Sequence, residues 1–299
     1  MYSVKSRTGW WVAGLAVLLC GMLPNGAKST PVTAAVLRSQ GTQFLGMTIW
    51  NDLNTGWQNY GATAVEIDYT SLAGSITPQN LAETNADVLI ISTAGFNYSG
   101  AEVAAIIDYV QAGHGLIVTY ASFSLVEFTP LTIRNSELMP LVGLGETNKL
   151  GTSTWPIPIE FDLLDPGHSL FDGIASPYIT GSSNLMNPFF LDPWIVTTGT
   201  VLARATPEFT ASGIDFSGNA IITANSTSAY RSIYFPHYIE NKSDGSNDQD
   251  AQLFYNSLVW TSQVPEPGTL MLLGLGFGGL WVMHGHGAIA FARRVRCTA

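Results

Sequence analysis

Hydrophobic and polar positions change rhythm several times along the chain. Ala34 to Leu37 is a short apolar run and predicts a first strand. Val65 to Tyr69 alternates and predicts a second. Thr77-Pro78 places a capping hydroxyl before a proline, the pattern that opens a helix. Ala86 to Ser92 is almost wholly apolar, as a strand buried on both faces should be. Ser99 and Glu102 then form a capping box. Val103, Ile106, Ile107 and Val110 recur at helical spacing and give one apolar stripe. Gly113 stands where a helix-ending glycine belongs, and Leu116 to Tyr120 follows as another buried strand. Strand, capped helix, glycine and strand make a βαβ unit, so the sheet should be parallel there.

Further on, the spacing predicts a short helix over Asn135 to Leu144. Strands follow at Ile157–Leu163, Val201–Ala205, Ala220–Thr223 and Ser232–Phe235. Leu253, Phe254, Leu258 and Trp260 predict a closing helix over 250–262. The expected fold class is α/β. It is an open, mostly parallel sheet, with helices on both faces and a β-rich later half.

The two ends of the 299-residue chain are hydrophobic. Lys5 and Arg7 precede the uncharged stretch Gly9 to Leu23, and Pro24, Gly26 and Ala27 follow it. This predicts a signal peptide over 1–27, with an uncleaved anchor or a lipoprotein built on Cys20 as alternatives. At the other end, Thr269 to Ala292 holds 24 residues without Asp, Glu, Lys or Arg. As a helix it would reach about 36 Å, enough for a hydrocarbon core of about 30 Å. Arg293, Arg294 and Arg296 follow and should stay cytoplasmic. The expected organisation is a signal peptide at 1–27, one α/β domain at 28–263 and a tail at 264–299, with a membrane helix over 269–292.

Charge and cysteine content narrow the function. Residues 28–263 hold seven of the 12 Lys+Arg and 21 of the 22 Asp+Glu, a formal charge of −14. Such a domain repels phosphate backbones, so nucleic acid is set aside. Cys20 and Cys297 are the only cysteines and lie in the end segments. The domain therefore has no disulfide, cysteine metal site or thiolate nucleophile.

The tail reads Val264-Pro265-Glu266-Pro267-Gly268-Thr269-Leu270, then an apolar glycine-rich span, then arginines. The two prolines keep the first segment out of a helix. This three-part pattern resembles the PEP-CTERM sorting signal. The resemblance implies a Gram-negative bacterium and export across the inner membrane. It also implies transient anchoring by the C-terminal helix, then cleavage near Pro265-Glu266-Pro267 by an exosortase-type enzyme. Release or attachment at the cell surface would follow, with a frequent link to exopolysaccharide. A plain single-pass anchor is the alternative.

A second resemblance spans most of 34–262. ADVLIISTAG, DYVQAGHGLIVTYAS, HSLFDGI, YFPHY and NSLVW occur in an order that resembles class I glutamine-amidotransferase-like proteins, nearest the ThuA-like branch. It implies a flavodoxin-like sheet and a link to sugar metabolism. The amidotransferase cysteine is absent, so glutaminase chemistry is not expected.

Candidate catalytic residues are few. His168 lies in DPGHSLFDG between Asp165 and Asp172, an arrangement able to supply a general base or, alternatively, a turn with a capping imidazole. Ser122 follows a strand where a nucleophile elbow would sit, without the elbow's glycines. His237 ends a strand, and His114 follows a helix. Asp244 to Asp250 resembles an oxygen-rich cation loop but lacks the EF-hand spacing, and a solvated acidic loop is the simpler reading. No cofactor and no metal are expected. The residues thus predict an exported, exosortase-processed protein whose domain is a binding or structural component, with polysaccharide as a candidate partner. The alternative is a carbohydrate-active hydrolase or isomerase centred on His168.

Overall fold

A computed structural model describes residues 31–38, 67–92, 96–119, 123, 125–128, 131–145, 150–152, 160–180, 189–191, 195–206, 210–211, 214–215, 221–237, 239 and 248–263. Nine strands form one sheet. In chain order they are β1 (Val32–Leu37), β2 (Ile67–Leu72), β3 (Val88–Ser92), β4 (Gly115–Thr119), β5 (Glu160–Leu163), β6 (Tyr178–Ile179), β7 (Thr200–Thr206), β8 (Ile221–Ser226) and β9 (Arg231–Phe235). The spatial order is β6-β5-β7-β8-β9-β4-β3-β1-β2.

Strands β2, β1, β3, β4 and β9 run parallel, in the 2-1-3-4-5 order of flavodoxin-like sheets. Strands β8, β7, β5 and β6 extend the sheet antiparallel from β9. This antiparallel extension is the β-rich later half that the sequence predicts. Four two-stranded ladders lie outside the main sheet, one of them the Leu125–Phe128/Leu131–Ile133 hairpin.

Helices cover both faces. On one face α1 (Pro78–Thr84), α2 (Gly100–Gln111) and the 3-10 helix Ser136–Val142 bury Leu81, Val103, Ile106 and Leu138 against Leu89, Ile91, Leu116 and Val118. On the other, α3 (Asp248–Ser262) buries Leu253, Phe254 and Leu258 against Ala34, Val36, Ile90, Ile117 and Ile233. Period-two alternation along each strand sends neighbours to opposite cores. Each helix opens as its sequence dictates. The Thr77 side chain accepts from Asn80 N at 3.1 Å, with Pro78 in the first turn. Ser99 and Glu102 complete a reciprocal capping box on α2.

Helix α3 descends antiparallel to β9, so its last turn lies at the amino edge of the parallel strands. Gly115, the first residue of β4, fixes that contact. A Cβ there would lie 2.6 Å from the Thr261 carbonyl oxygen, so only glycine fits. Among the described residues, no helix is long and apolar enough to cross a membrane. The segments 9–23 and 269–292 lie outside the described residues.

Candidate functional site

Open α/β sheets offer their ligand crevice beyond the carboxyl ends of the parallel strands, at the point where strand order reverses. Here that point lies between β1 and β3. The residue after β1 is Arg38, and its guanidinium meets both carboxylate oxygens of Glu102 at 2.9 and 3.0 Å. Its face lies over Phe96 at 4.6 Å. Glu102 also accepts from Ile76 N, Ser99 N and Ser99 Oγ at 3.2, 2.9 and 3.0 Å. Burial opposes ionisation of Glu102. The Ser99 and Ile76 donors and the Arg38 charge outweigh it, so its carboxyl titrates below the usual range. The Tyr98 hydroxyl donates to the Arg38 carbonyl at 2.8 Å, and burial raises its pKa. One carboxylate thus ties the end of β1, the loop before α1 and the start of α2 together. Arg38 keeps 37% of its side chain exposed.

A second polar group lies beyond β9. His237 is 0% exposed and follows the strand by two residues. Its Nε2 lies 3.1 Å from the Tyr178 hydroxyl, which donates to Asp250 Oδ1 at 2.5 Å. A phenol has one proton, and here it goes to Asp250. His237 Nε2 must therefore be the donor to the Tyr178 oxygen, which leaves Nδ1 unprotonated. That Nδ1 is buried and has no hydrogen-bond partner. Phe161 and Phe235 lie against the ring, at centroid distances of 5.4 and 5.8 Å. Burial holds the His237 pKa down to about 3. Burial, then the Asp250 charge, raises Tyr178 well above the ordinary phenol value. The arrangement is a neutral imidazole and a neutral phenol feeding a hydrogen-bond chain into one acid.

His168 lies elsewhere. Asp165 to His168 is a turn closed by His168 N and the Asp165 carbonyl at 3.0 Å. The His168 Nδ1 accepts from Leu170 N at 3.2 Å and caps the 3-10 helix Ser169–Phe171. Its ring lies 5.5 Å from that of Trp260. Burial lowers its pKa, Asp165 opposes this and Arg231 reinforces it. Asp172 is exposed, and its carbonyl accepts from Asn256 Nδ2 at 2.9 Å, which pins the short helix to α3. Arg231 begins β9 and sits over Trp260 at 5.1 Å. The His168 group is therefore at the amino edge and His237 at the carboxyl edge. Four residue steps of β9, about 13 Å, separate their strand neighbours Arg231 and Phe235. The structure does not bring the two histidines together.

Ser122 lies outside the described residues, as do Val264, Pro265, Glu266, Pro267, Arg293 and Arg294. His114 stacks on Tyr109 at 3.8 Å, and its Nδ1 meets the Ala86 carbonyl at 2.8 Å. Asp250 is not part of a solvated loop. It is the third residue of α3, 2% exposed, with Tyr178 as a partner. Sequence reasoning missed both Tyr178 and Asp250. Asp250 belonged to an acidic run, and Tyr178 stood in an edge strand of two residues. Among the described residues, no cluster of three or more His, Cys, Asp or Glu side chains could hold a metal ion.

Comparison with known proteins separates tail from domain. Residues 263–284 match the PEP-CTERM protein-sorting motif, which implies an exported protein processed by an exosortase. No curated protein matches the chain significantly. The fold resembles a ThuA-like protein from Bacteroides uniformis, at 19% identity and a TM-score of 0.53. That match covers 81% of this chain and 95% of the other. It also resembles the N-terminal domain of mmIFT52, at 10% identity and a TM-score of 0.51, over 77% of this chain and 97% of that one. A ThuA-like protein from Parabacteroides merdae matches at 9% identity and a TM-score of 0.49, over 78% and 91%. At these identities the likeness is one of fold.

Proposed function

We propose that the chain is a surface-displayed or extracellular binding or structural component of the exopolysaccharide layer. An exosortase would process its tail near Glu266. The disposition of the histidines carries the non-catalytic part. His237 is sealed at the carboxyl edge, and His168 caps a short helix at the opposite, amino edge. A general base needs an accessible lone pair beside the substrate. The lone pair on His237 Nδ1 faces protein, and the Nδ1 of His168 is engaged by its own backbone. The charge of −14 favours a neutral or cationic polymer over an anionic one.

The test uses the processed protein and exopolysaccharide isolated from the same host. The expected result is co-sedimentation with the polymer and no new reducing ends. Release of reducing ends that disappears in His168→Ala would establish the carbohydrate-active enzyme instead. Failure to co-sediment would remove the polysaccharide partner.

A further inference from the structure

The sorting motif begins where α3 ends. The match starts at Gln263, one residue beyond the last helical residue, Ser262. That end of the helix is held in place. Arg231 Nη1 donates to the Trp260 carbonyl at 3.3 Å and approaches Gln263 Oε1 at 3.5 Å, with its guanidinium over the Trp260 ring. Gln263 N donates back to the Trp260 carbonyl at 3.3 Å. Thr261 Oγ1 donates to the Ser257 carbonyl at 2.7 Å, and the Thr261 backbone lies against Gly115. Ser262 Oγ donates to the Val259 carbonyl at 2.8 Å.

A peptidase binds its substrate as extended chain, several residues to each side of the bond it cuts. For a cut near Glu266, the residues on the amino side are Trp260 to Pro265. The first three of these belong to the last turn of α3, and Gln263 closes it. A helical turn docked on a sheet cannot enter a cleft as extended backbone. Cleavage therefore has to proceed from a locally opened form, in which that turn has left its seat.

We propose that the seated end of α3 is a latch that restrains processing of the tail. Its parts are Arg231 on Trp260 and Gln263, and Thr261 on Gly115. Opening the last turn, without unfolding the domain, sets the cleavage rate. This rests on the reading that the tail is an exosortase substrate.

The experiment is a pulse-chase of the full-length chain in a Gram-negative host that carries an exosortase, following conversion to the cleaved form by mass. Arg231→Met keeps an apolar stem against Trp260 and removes the donors. It should be cleaved several-fold faster than wild type. Six Gly/Ser residues inserted after Gln263 should also speed cleavage and should abolish the effect of Arg231→Met. Val103→Ala weakens the opposite core and should leave the rate unchanged. Equal rates in wild type, Arg231→Met and the spacer variant would overturn the latch. So would acceleration by Val103→Ala equal to that of Arg231→Met. Glu266→Ala separates the two readings. Normal cleavage of that variant removes the exosortase reading itself, whereas a block there with no effect of Arg231→Met removes the latch alone.

Discussion

The two edges of the parallel strands are built for different tasks. At the carboxyl edge, polar side chains turn inward and satisfy one another. Glu102 gathers Arg38, Ser99 and Ile76, and Tyr178 links His237 to Asp250. At the amino edge, polar groups hold chain ends. His168 caps a short helix, and Arg231 grips the end of α3 just before the sorting motif. At the edge where folds of this kind usually take a ligand, the described polar groups thus bond mainly to one another, with Arg38 still partly exposed. The edge that usually serves stability alone carries the connection to export.

Four substitutions probe the two edges in turn. The largest effect should come from Glu102→Ala. It leaves Arg38 without its counter-ion and Ser99 N and Ile76 N without their acceptor, while the Ser99 hydroxyl still caps α2, for a loss of about 3 kcal/mol. Urea unfolding monitored by far-UV circular dichroism measures it, and a loss under about 1 kcal/mol would mean that the network is surface decoration. Tyr178→Phe comes next. It removes a donor to Asp250 and the acceptor for His237, at a cost of about 2 kcal/mol by the same measurement.

The third prediction concerns pH. The His237 pKa is about 3 in the folded chain and about 6.5 when unfolded. As pH falls below 6.5 the unfolded state takes up a proton that the folded state refuses. Stability is therefore complete above pH 6.5 and is lost on the way down to pH 3. The slope contributed is about 1.4 kcal/mol per pH unit. Between pH 6 and 5, His237→Gln should flatten the stability profile by about that amount. Parallel profiles for the two proteins would place His237 in water. The smallest effect should come from His168→Ala. A cap on a three-residue 3-10 helix is worth under about 1 kcal/mol, visible as a small shift of the urea midpoint. A loss as large as that from Glu102→Ala would reverse the contrast between the edges.

Legibility in the sequence followed the same divide. The parallel half was readable because each element carries its own signal. The capping box at Ser99 and Glu102, the apolar run before Ser92 and the proline at 78 all act locally. The structure carries β2 on to Leu72, three residues past the Tyr69 at which the alternation ends. The spatial order of the antiparallel half rests on long-range pairing. The two residues of β6 carry no periodicity that could reveal their place beside β5. The His237–Tyr178–Asp250 chain was hidden for the same reason. Its members are 59 and 72 residues from Tyr178 in sequence. Asp165, His168 and Asp172 stand out in the sequence because they are close together, yet that closeness reflects a turn and a cap.

The tail following α3 matches a sorting signal, and such a signal is cut after export. Intact-mass analysis of the protein from envelope and medium fractions tests it most directly, with wild type compared to Glu266→Ala. Wild type should lack the residues after the Pro265–Pro267 region and leave the inner membrane, while Glu266→Ala should keep its full C-terminus and stay there. Recovery of wild type with the complete tail, in the same membrane fraction as the variant, would contradict it.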